Sequence, residues 1–347
     1  MSRALVALPI ALMLCLLIVL PPSYQPAQAG VISAEDKIWA LARKAIITMN
    51  AFVYTSGDRA WPCYKLNSTD GTIYSPYAVP EAISWYYALG EISLCKRMID
   101  SFLSSQYVWE HGTVYTYNPT TGGKINEAWT VLHYVALCRT LYHAWLVFKN
   151  QTYLEAMKKT LDLVIRSINT TTWLPARKVW TNGTFVHEDY EPVEPLVVGV
   201  WLVMFGTVLQ NNTLTTYGQN VINAVRSYQD EFLPKLINSY TGEIASDVAY
   251  LLTTRFPCSL SDTLQLSELL DIPYPQVLSD LAEWLINYYI RYASKDENGL
   301  FGYGTYFYNG TPRYSPDYHF TDQFNQLRFM LTFGGENQTV VSFCKKI

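Results

Sequence analysis

Two kinds of predicted helix alternate along this chain, and no other feature constrains its fold as strongly. Residues 151–168, 214–228 and 277–288 carry apolar side chains three and four positions apart with polar residues between them, which is typical of helices with one exposed face. Residues 128–147 and 196–209 are apolar almost all round. Helices of this second kind are expected to be buried on most sides.

Alternation of half-exposed and fully buried helices predicts two concentric helical layers. We therefore expect an all-α fold, an (α/α) toroid of about five to six helical hairpins, with a solenoid of stacked helix pairs as the alternative. No low-complexity linker interrupts residues 30–347, so a single domain is expected there.

Short β-ribbons are predicted ahead of the buried helices. Asn-Gly, Asp-Gly or Gly-Gly turns between β-forming residues indicate hairpins, and they occur at 70–71, 122–123, 182–183 and 309–310. The following helices begin with acids: Glu81, Glu127, Glu191, Glu194 and Asp322, with Asp247 after a shorter ribbon at 238–243. In a toroid these junctions would meet at one rim. A single acid there also has a structural explanation, because free N–H groups of a first helical turn favour a carboxylate by about 0.3–1 kcal/mol.

The N-terminal residues 1–29 have the order of a secretory signal peptide. Arg3 precedes the apolar run 4–20, and Ala27-Gln28-Ala29 forms a small-x-small cleavage signature. An uncleaved membrane anchor is the alternative that the length of this run leaves open. A secreted or cell-surface glycoprotein also agrees with seven Asn-x-Ser/Thr triplets, at Asn67, Asn150, Asn169, Asn182, Asn211, Asn309 and Asn337.

Composition narrows the classes of partner and chemistry. The net charge of −4 and the low charged fraction of 16% argue against a nucleic-acid partner. Removal of Cys15 with the signal leaves an odd number of cysteines, and Cys95 and Cys138 lie in apolar helices, where buried thiols are expected. Neither CxxC nor HExxH occurs, so no metal and no cofactor is expected. The 27 tyrosines and 10 tryptophans suit either core packing or stacking on sugar rings.

Two stretches concentrate reactive side chains. The first is His187-Glu188-Asp189-Tyr190-Glu191-Pro192, with Glu194 beyond it. Burial of several like charges raises their pKa values, so such a stretch is poor core material, and it leads into a deeply apolar helix. The second stretch runs from Arg313 to His319 and follows an aromatic ribbon. Either one could also be an ordinary solvated turn.

Order and spacing of these stretches resemble the catalytic domain of the D-glucuronyl C5-epimerases, and more broadly the six-hairpin sugar enzymes. Glu188-Asp189-Tyr190, a proline and the apolar helix 197–206 are similar to one family segment. Asp317-Tyr318-His319 followed by Asn325-Gln326-Leu327 is similar to its terminal signature, and residues 127–157 resemble an earlier helix pair. Asp189 stands where the family tends to carry glutamate, and Arg313 lies further from Tyr318 than the family spacing.

The resemblance implies an (α/α) toroid that inverts C5 of uronic-acid units in a polysaccharide. It implies Tyr318 as one acid/base and Tyr190, helped by Asp189 or Glu188, as the other. Tyr303 is a further catalytic candidate, and Tyr306 in the same ribbon is the alternative to it. The substrate-binding residues that it implies are Arg313 or Arg255 for the substrate carboxylate, His319, Glu127 and Trp129. A homodimer is expected by the same analogy.

Three other functions remain open from the residues themselves. A glycoside hydrolase would use two carboxylates about 5–10 Å apart, such as Glu127 with Asp189 or Asp247. A polysaccharide lyase would share the proton abstraction and then expel the group at C4. A non-catalytic surface protein could bind glycans through aromatic side chains alone.

Overall fold

The structure, a computed structural model, describes most of the middle of the chain. The described residues are 40, 53–62, 83, 86–87, 90–118, 121–125, 127–228, 236–243, 255–288, 305–308, 311–314 and 328–334. The predicted signal peptide, the sequons at Asn67, Asn309 and Asn337, and Cys63 and Cys344 lie outside them.

Contacts divide the chain into two compact units. The first comprises the described residues up to Trp129, together with Ala136–Leu163 and Trp180–Thr184. The second comprises Thr130–Val135, Val164–Val179 and the described residues from Phe185 onward. The single domain expected for residues 30–347 stays a prediction.

In the first unit, a β-hairpin packs on a helix. Strands β1 (Val53–Ser56) and β2 (Arg59–Pro62) pair antiparallel, and helix α1 spans Ile92–Ser105. The indole Nε1 of Trp61 donates a 3.0 Å hydrogen bond to Ser105 Oγ. This bond satisfies the polar atom of a side chain that is otherwise buried as core.

The first unit also contains the predicted ribbon around Gly122-Gly123. Strands β3 (Tyr107–Val108) and β4 (Thr113–Val114) pair, as do β5 (Thr116–Asn118) and β6 (Gly123–Ile125). Gly122 has φ of 68°, a conformation that glycine adopts without strain. The hairpin prediction for this segment is therefore confirmed.

Strand β7 (Ala128–Thr130) leads into two consecutive helices, α2 (Val131–Phe148) and α3 (Gln151–Arg166). Helix α2 begins later than the expected 128, because the first three of those residues form the strand. By length and composition it could span a membrane, but 56% of it is buried, as in a core helix. The buried thiols expected at Cys95 and Cys138 are confirmed, with exposures of 1% and 0%.

Three pairs of short strands lie around the buried helix in the sequence, and two of them precede it. Strands β8 (Ile168–Asn169) and β9 (Leu174–Pro175) form one pair, and β10 (Lys178–Trp180) and β11 (Phe185–Val186) form another. The β10–β11 pair confirms the ribbon predicted at Asn182-Gly183. Strand β12 (Asp189–Tyr190) pairs with β13 (Ile237–Asn238), which lies far away in sequence.

Helices α4 (Val193–Val208) and α5 (Asn212–Tyr228) form the main helical contact of this unit. As expected, α4 is buried on nearly all sides, whereas α5 buries one face. The two backbones approach closely: a Cβ on Gly218 would lie 2.7 Å from Gly199 O and 2.7 Å from Val203 N. Glycine at this crossing is therefore a packing requirement.

The last described elements complete the predicted pattern. Helices α6 (Arg255–Leu269) and α7 (Gln276–Tyr288) are followed by strands β14 (Thr305–Tyr308) and β15 (Thr311–Tyr314). The β14–β15 pair confirms the hairpin predicted at Asn309-Gly310. Residues 328–334 are helical, and Arg328 forms a 3.1 Å ion pair with Asp262 of α6.

Candidate functional site

The acidic stretch predicted at 187–191 lies in the second unit, on a ribbon held by two other segments. Asp189 pairs with Asn238 and Tyr190 with Ile237 across β12 and β13. Strand β11, which ends at Val186 just before the stretch, pairs with β10, and there Lys178 lies opposite Val186. Both neighbours contribute polar side chains to the acids.

Glu188 lies between two cations. Its Oε1 is 2.7 Å from Lys178 Nζ and 3.3 Å from Arg177 Nη1. The three side chains are exposed to similar degrees, between 34% and 36%. At this exposure the ion pairs contribute little to stability, although Glu188 Oε1 and Arg177 Nε are themselves shielded from solvent.

The Asp189 side chain is exposed, and a side chain of the paired strand orients it. Asn238 Nδ2 donates a 2.8 Å hydrogen bond to Asp189 Oδ1. The backbone oxygen of Asp189 accepts a 3.0 Å hydrogen bond from Arg177 Nη1. Arg177 therefore contacts both Glu188 and the backbone of Asp189, which fixes the two consecutive acids relative to one another.

Ser239 anchors the start of the acidic stretch. Its Oγ is fully buried, accepts a 3.1 Å hydrogen bond from the N–H of Glu188, and lies 3.2 Å from His187 Nδ1. Its own N–H donates to the oxygen of Glu188 at 3.3 Å. Burial lowers the pKa of His187, and a hydrogen bond with the backbone of Ser239 partly opposes this effect.

Tyr190 has a different environment from the one implied for an acid/base. Its ring is 2% exposed, and its hydroxyl donates a 2.8 Å hydrogen bond to the oxygen of Pro175. Burial raises the pKa of Tyr190 well above its ordinary value; Glu194 raises it further, and Arg177 lowers it. This geometry favours a structural role for Tyr190.

The remaining predicted site residues belong to the first unit, to other elements of the second unit, or to the part of the chain outside the described residues. In the first unit, Glu127 accepts a 2.9 Å hydrogen bond from Thr116 Oγ1, and Trp129 is half-buried in β7. Arg255 is the first residue of α6, and Arg313 lies in β15 opposite Tyr306. Outside the described residues lie Tyr303, Tyr318, His319 and Asp247.

Four residues of the site were not predicted from the sequence: Arg177, Lys178, Asn238 and Ser239. The first two had a usable signal. A hairpin centred on Asn182-Gly183 and continued in register brings residues 176–178 beside residue 188. Within the described part of the chain, no three His, Cys, Asp or Glu side chains are grouped as metal ligands would be.

Comparison with known proteins identifies the fold. No protein-family model matches the sequence, and no curated protein does. A sugar epimerase from a ruminal bacterium is similar in structure over 86% of this chain and 82% of its own, with a TM-score of 0.61 and 12% identity. A D-mannose isomerase gives a TM-score of 0.63 over 91% and 88% of the two chains at 11% identity.

A reducing-end-xylose releasing exo-oligoxylanase is also similar, with a TM-score of 0.54 over 90% of this chain and 83% of its own at 12% identity. The chain is an (α/α) toroid. The fold class expected from the alternating helices is thereby confirmed, including the short strand pairs. At these identities the similarity concerns the fold, and the reaction has to be argued from the residues themselves.

Proposed function

We propose that this protein is a carbohydrate-processing enzyme, and that it inverts C5 of hexuronic acid units in a polysaccharide. One observation carries the proposal. An exposed carboxylate, Asp189, lies on a fixed ribbon directly after Glu188, whose partners are the two cations Arg177 and Lys178; Arg177 also donates to the backbone oxygen of Asp189. A base next to paired cations is what proton abstraction beside a carboxylate requires.

The chemistry explains why cations are needed. The hydrogen at C5 of a uronate is a very weak acid, since its loss places negative charge on the neighbouring carboxylate. Positive groups that contact this carboxylate stabilise the charge as it develops. The fork of Arg177 suits a carboxylate, and Lys178 adds a second charge. Both would exchange part of their contact with Glu188 for contact with the substrate.

In the proposed reaction Asp189 removes the C5 proton from one face of the sugar. The electron pair of the broken C–H bond is delocalised into the carboxylate held by Arg177 and Lys178. An acid on the opposite face then donates a proton to C5, so no net proton is lost and no other reactant is consumed. By resemblance this second group is Tyr318, with His319 orienting a neighbour and Arg313 or Arg255 supplementing the cations.

Similar solved structures support the sugar-enzyme class and also suggest the second candidate. Two of them are a sugar epimerase and a D-mannose isomerase, and the third is an oligoxylanase. The same fold therefore carries isomerases and hydrolases. As a hydrolase, this chain would use Asp189 with a second carboxylate about 5–10 Å away.

The test is incubation of the full protein with a glucuronate-containing polysaccharide in D₂O, followed by NMR and analysis of chain ends. Deuterium at C5 without cleavage is expected. Unsaturated ends would indicate a lyase, and new reducing ends alone a hydrolase, and either result overturns the epimerase proposal. An unchanged polymer would leave only glycan binding. Asp189→Asn is the matched control, since it removes the base and keeps an acceptor for Asn238.

A further inference from the structure

A cavity of about 350 Å³ opens next to the candidate site, within the second unit. His187, Tyr240, Asn169, Thr171 and Arg166 are among the residues that line it. Its volume is at the lower end of the range typical of small-molecule sites. The lining combines an aromatic ring with several polar groups, which is the combination that a sugar ring needs.

Tyr240 is the most exposed large apolar residue of this region, at 64%. Its backbone is nevertheless held on both sides: its N–H donates to Asn238 Oδ1 at 2.9 Å, and its oxygen accepts from Asn169 Nδ2 at 3.1 Å. The imidazole of His187 lies edge-on to its ring at a centroid distance of 5.6 Å. The ring is therefore presented to solvent on an ordered support.

The same residues connect the cavity to the acids. His187 lines the cavity, whereas the next residue, Glu188, contacts Arg177 and Lys178. His187 and Glu188 are adjacent in the chain, with consecutive Cα atoms about 3.8 Å apart. Ser239 contacts both residues at 3.1–3.2 Å. Neighbouring units of one polymer could therefore reach the carboxylate site and the cavity together.

We propose that this cavity is a saccharide subsite, which binds the polymer unit next to the one that reacts. The C–H face of that sugar unit stacks on Tyr240, since the electron-rich face of an aromatic ring attracts positively polarised edges. His187 and Thr171 offer hydrogen bonds to its hydroxyl groups. The inference rests on the proposed function, because the occupant is part of the same polysaccharide.

The proposal has a consequence for Asn169, which begins an Asn-Thr-Thr sequon and lines the cavity. Its Oδ1 accepts from Thr171 N at 2.9 Å, and its Nδ2 donates to Tyr240 O. A glycan on Nδ2 would occupy the space that the sugar unit needs. Asn169 is therefore unmodified in the working protein, whereas the exposed Asn182 and Asn211 remain the favoured described acceptors.

The test compares the affinity of the full protein for a uronate hexasaccharide and for the corresponding disaccharide, by calorimetry. We expect the hexasaccharide to bind more tightly, and Tyr240→Ala to weaken its binding by about tenfold, the equivalent of one stacking contact. Tyr240→Phe keeps the ring and should retain most of the affinity. Trp109→Ala removes another exposed aromatic residue, in the first unit, and serves as the control.

Two results would overturn the subsite. One is an unchanged hexasaccharide affinity in Tyr240→Ala. The other is a glycan on Asn169, found by mass spectrometry of protein secreted from a glycosylating host. Failure of the proposed function would look different. The wild-type protein would then exchange no C5 hydrogen in D₂O, while a Tyr240-dependent hexasaccharide affinity would still support a saccharide subsite.

Discussion

The side-chain amide of Asn238 donates a 2.8 Å hydrogen bond to Oδ1 of Asp189. The two residues also lie opposite each other across β12 and β13. Backbone pairing and the side-chain bond together fix the direction of the carboxylate. A segment that is distant in sequence therefore positions the proposed base.

Replacement of the proposed base gives the most direct prediction. Asp189→Asn should lower kcat by about 10²–10⁴-fold, the usual contribution of general acid–base catalysis. Because the side chain is exposed and nearly isosteric, the thermal midpoint should change little. C5 deuterium exchange measured by NMR checks the rate, and circular dichroism checks the fold. A variant that keeps at least half of the wild-type rate would exclude Asp189 as the base.

Asn238→Asp tests the positioning contact itself. Asn238 Oδ1 also accepts bonds from the N–H groups of Tyr240 and Thr241, and an aspartate preserves these. It also replaces the donor to Asp189 with a second negative charge, which makes it harder to keep Asp189 ionised. The acid limb of the kcat/KM profile should therefore move to higher pH.

The control for this variant is Asn238→Ala, which removes the donor and the turn acceptor without adding charge. It should lower kcat without the same shift in pH. An unchanged pH profile in Asn238→Asp would show that Asn238 has a structural role only.

Tyr190→Phe separates two interpretations of the same residue. The buried hydroxyl donates a hydrogen bond to Pro175 O. Its removal leaves a buried acceptor unsatisfied, so we expect the unfolding free energy of the variant to fall by about 1–3 kcal/mol. Its C5 exchange rate should stay within a few-fold of wild type. Tyr318→Phe is the comparison, where the resemblance implies a large loss. A folded but inactive Tyr190→Phe would restore Tyr190 as an acid/base.

Local patterns predicted the helices and turns of this chain well. The bounds expected for α5 and α7 agree with the structure within two residues, since apolar spacing on one face reports directly on a helix packed against a core. Hairpins at Gly122-Gly123 and Asn182-Gly183 formed because turn residues fix the register of the strands that they join.

Site residues that are brought together by the pairing of strands distant in sequence could not be predicted in the same way. Asn238 and Ser239 reach the acidic stretch only because β13 pairs with β12, and no local pattern specifies that choice. The role expected for Tyr190 depended on its residue type. Its environment depends on which backbone oxygen accepts a hydrogen bond from its hydroxyl, and this is a property of tertiary packing.

The pKa of His187 gives a prediction about stability. Burial lowers this pKa below the ordinary value of 6.5, so the folded protein holds fewer protons than the unfolded chain near pH 6. The contribution of His187 to the unfolding free energy should therefore be fully present above pH 6.5. It should be lost as the pH falls through the lowered pKa. Urea titrations between about pH 5 and 8, which bracket the ordinary histidine pKa, measure this effect. The unfolding free energy should depend less steeply on pH in His187→Gln than in the wild-type protein. Parallel curves for the two proteins would contradict this linkage.

Close packing of α4 on α5 leads to a prediction about the core of the second unit. In an isolated helix, Gly218→Ala would stabilise by about 0.8–1.0 kcal/mol. Here the added Cβ would lie 2.7 Å from backbone atoms of Gly199 and Val203, neither of which can rotate away. The helices would have to separate, at a cost of about 1–3 kcal/mol beyond the gain in helix propensity.

Asn223→Ala, on the exposed face of the same helix, lacks the clash and should be neutral or slightly stabilising. Urea unfolding with an unchanged m-value would measure both changes. A Gly218→Ala protein as stable as Asn223→Ala would contradict the close approach of the two helices.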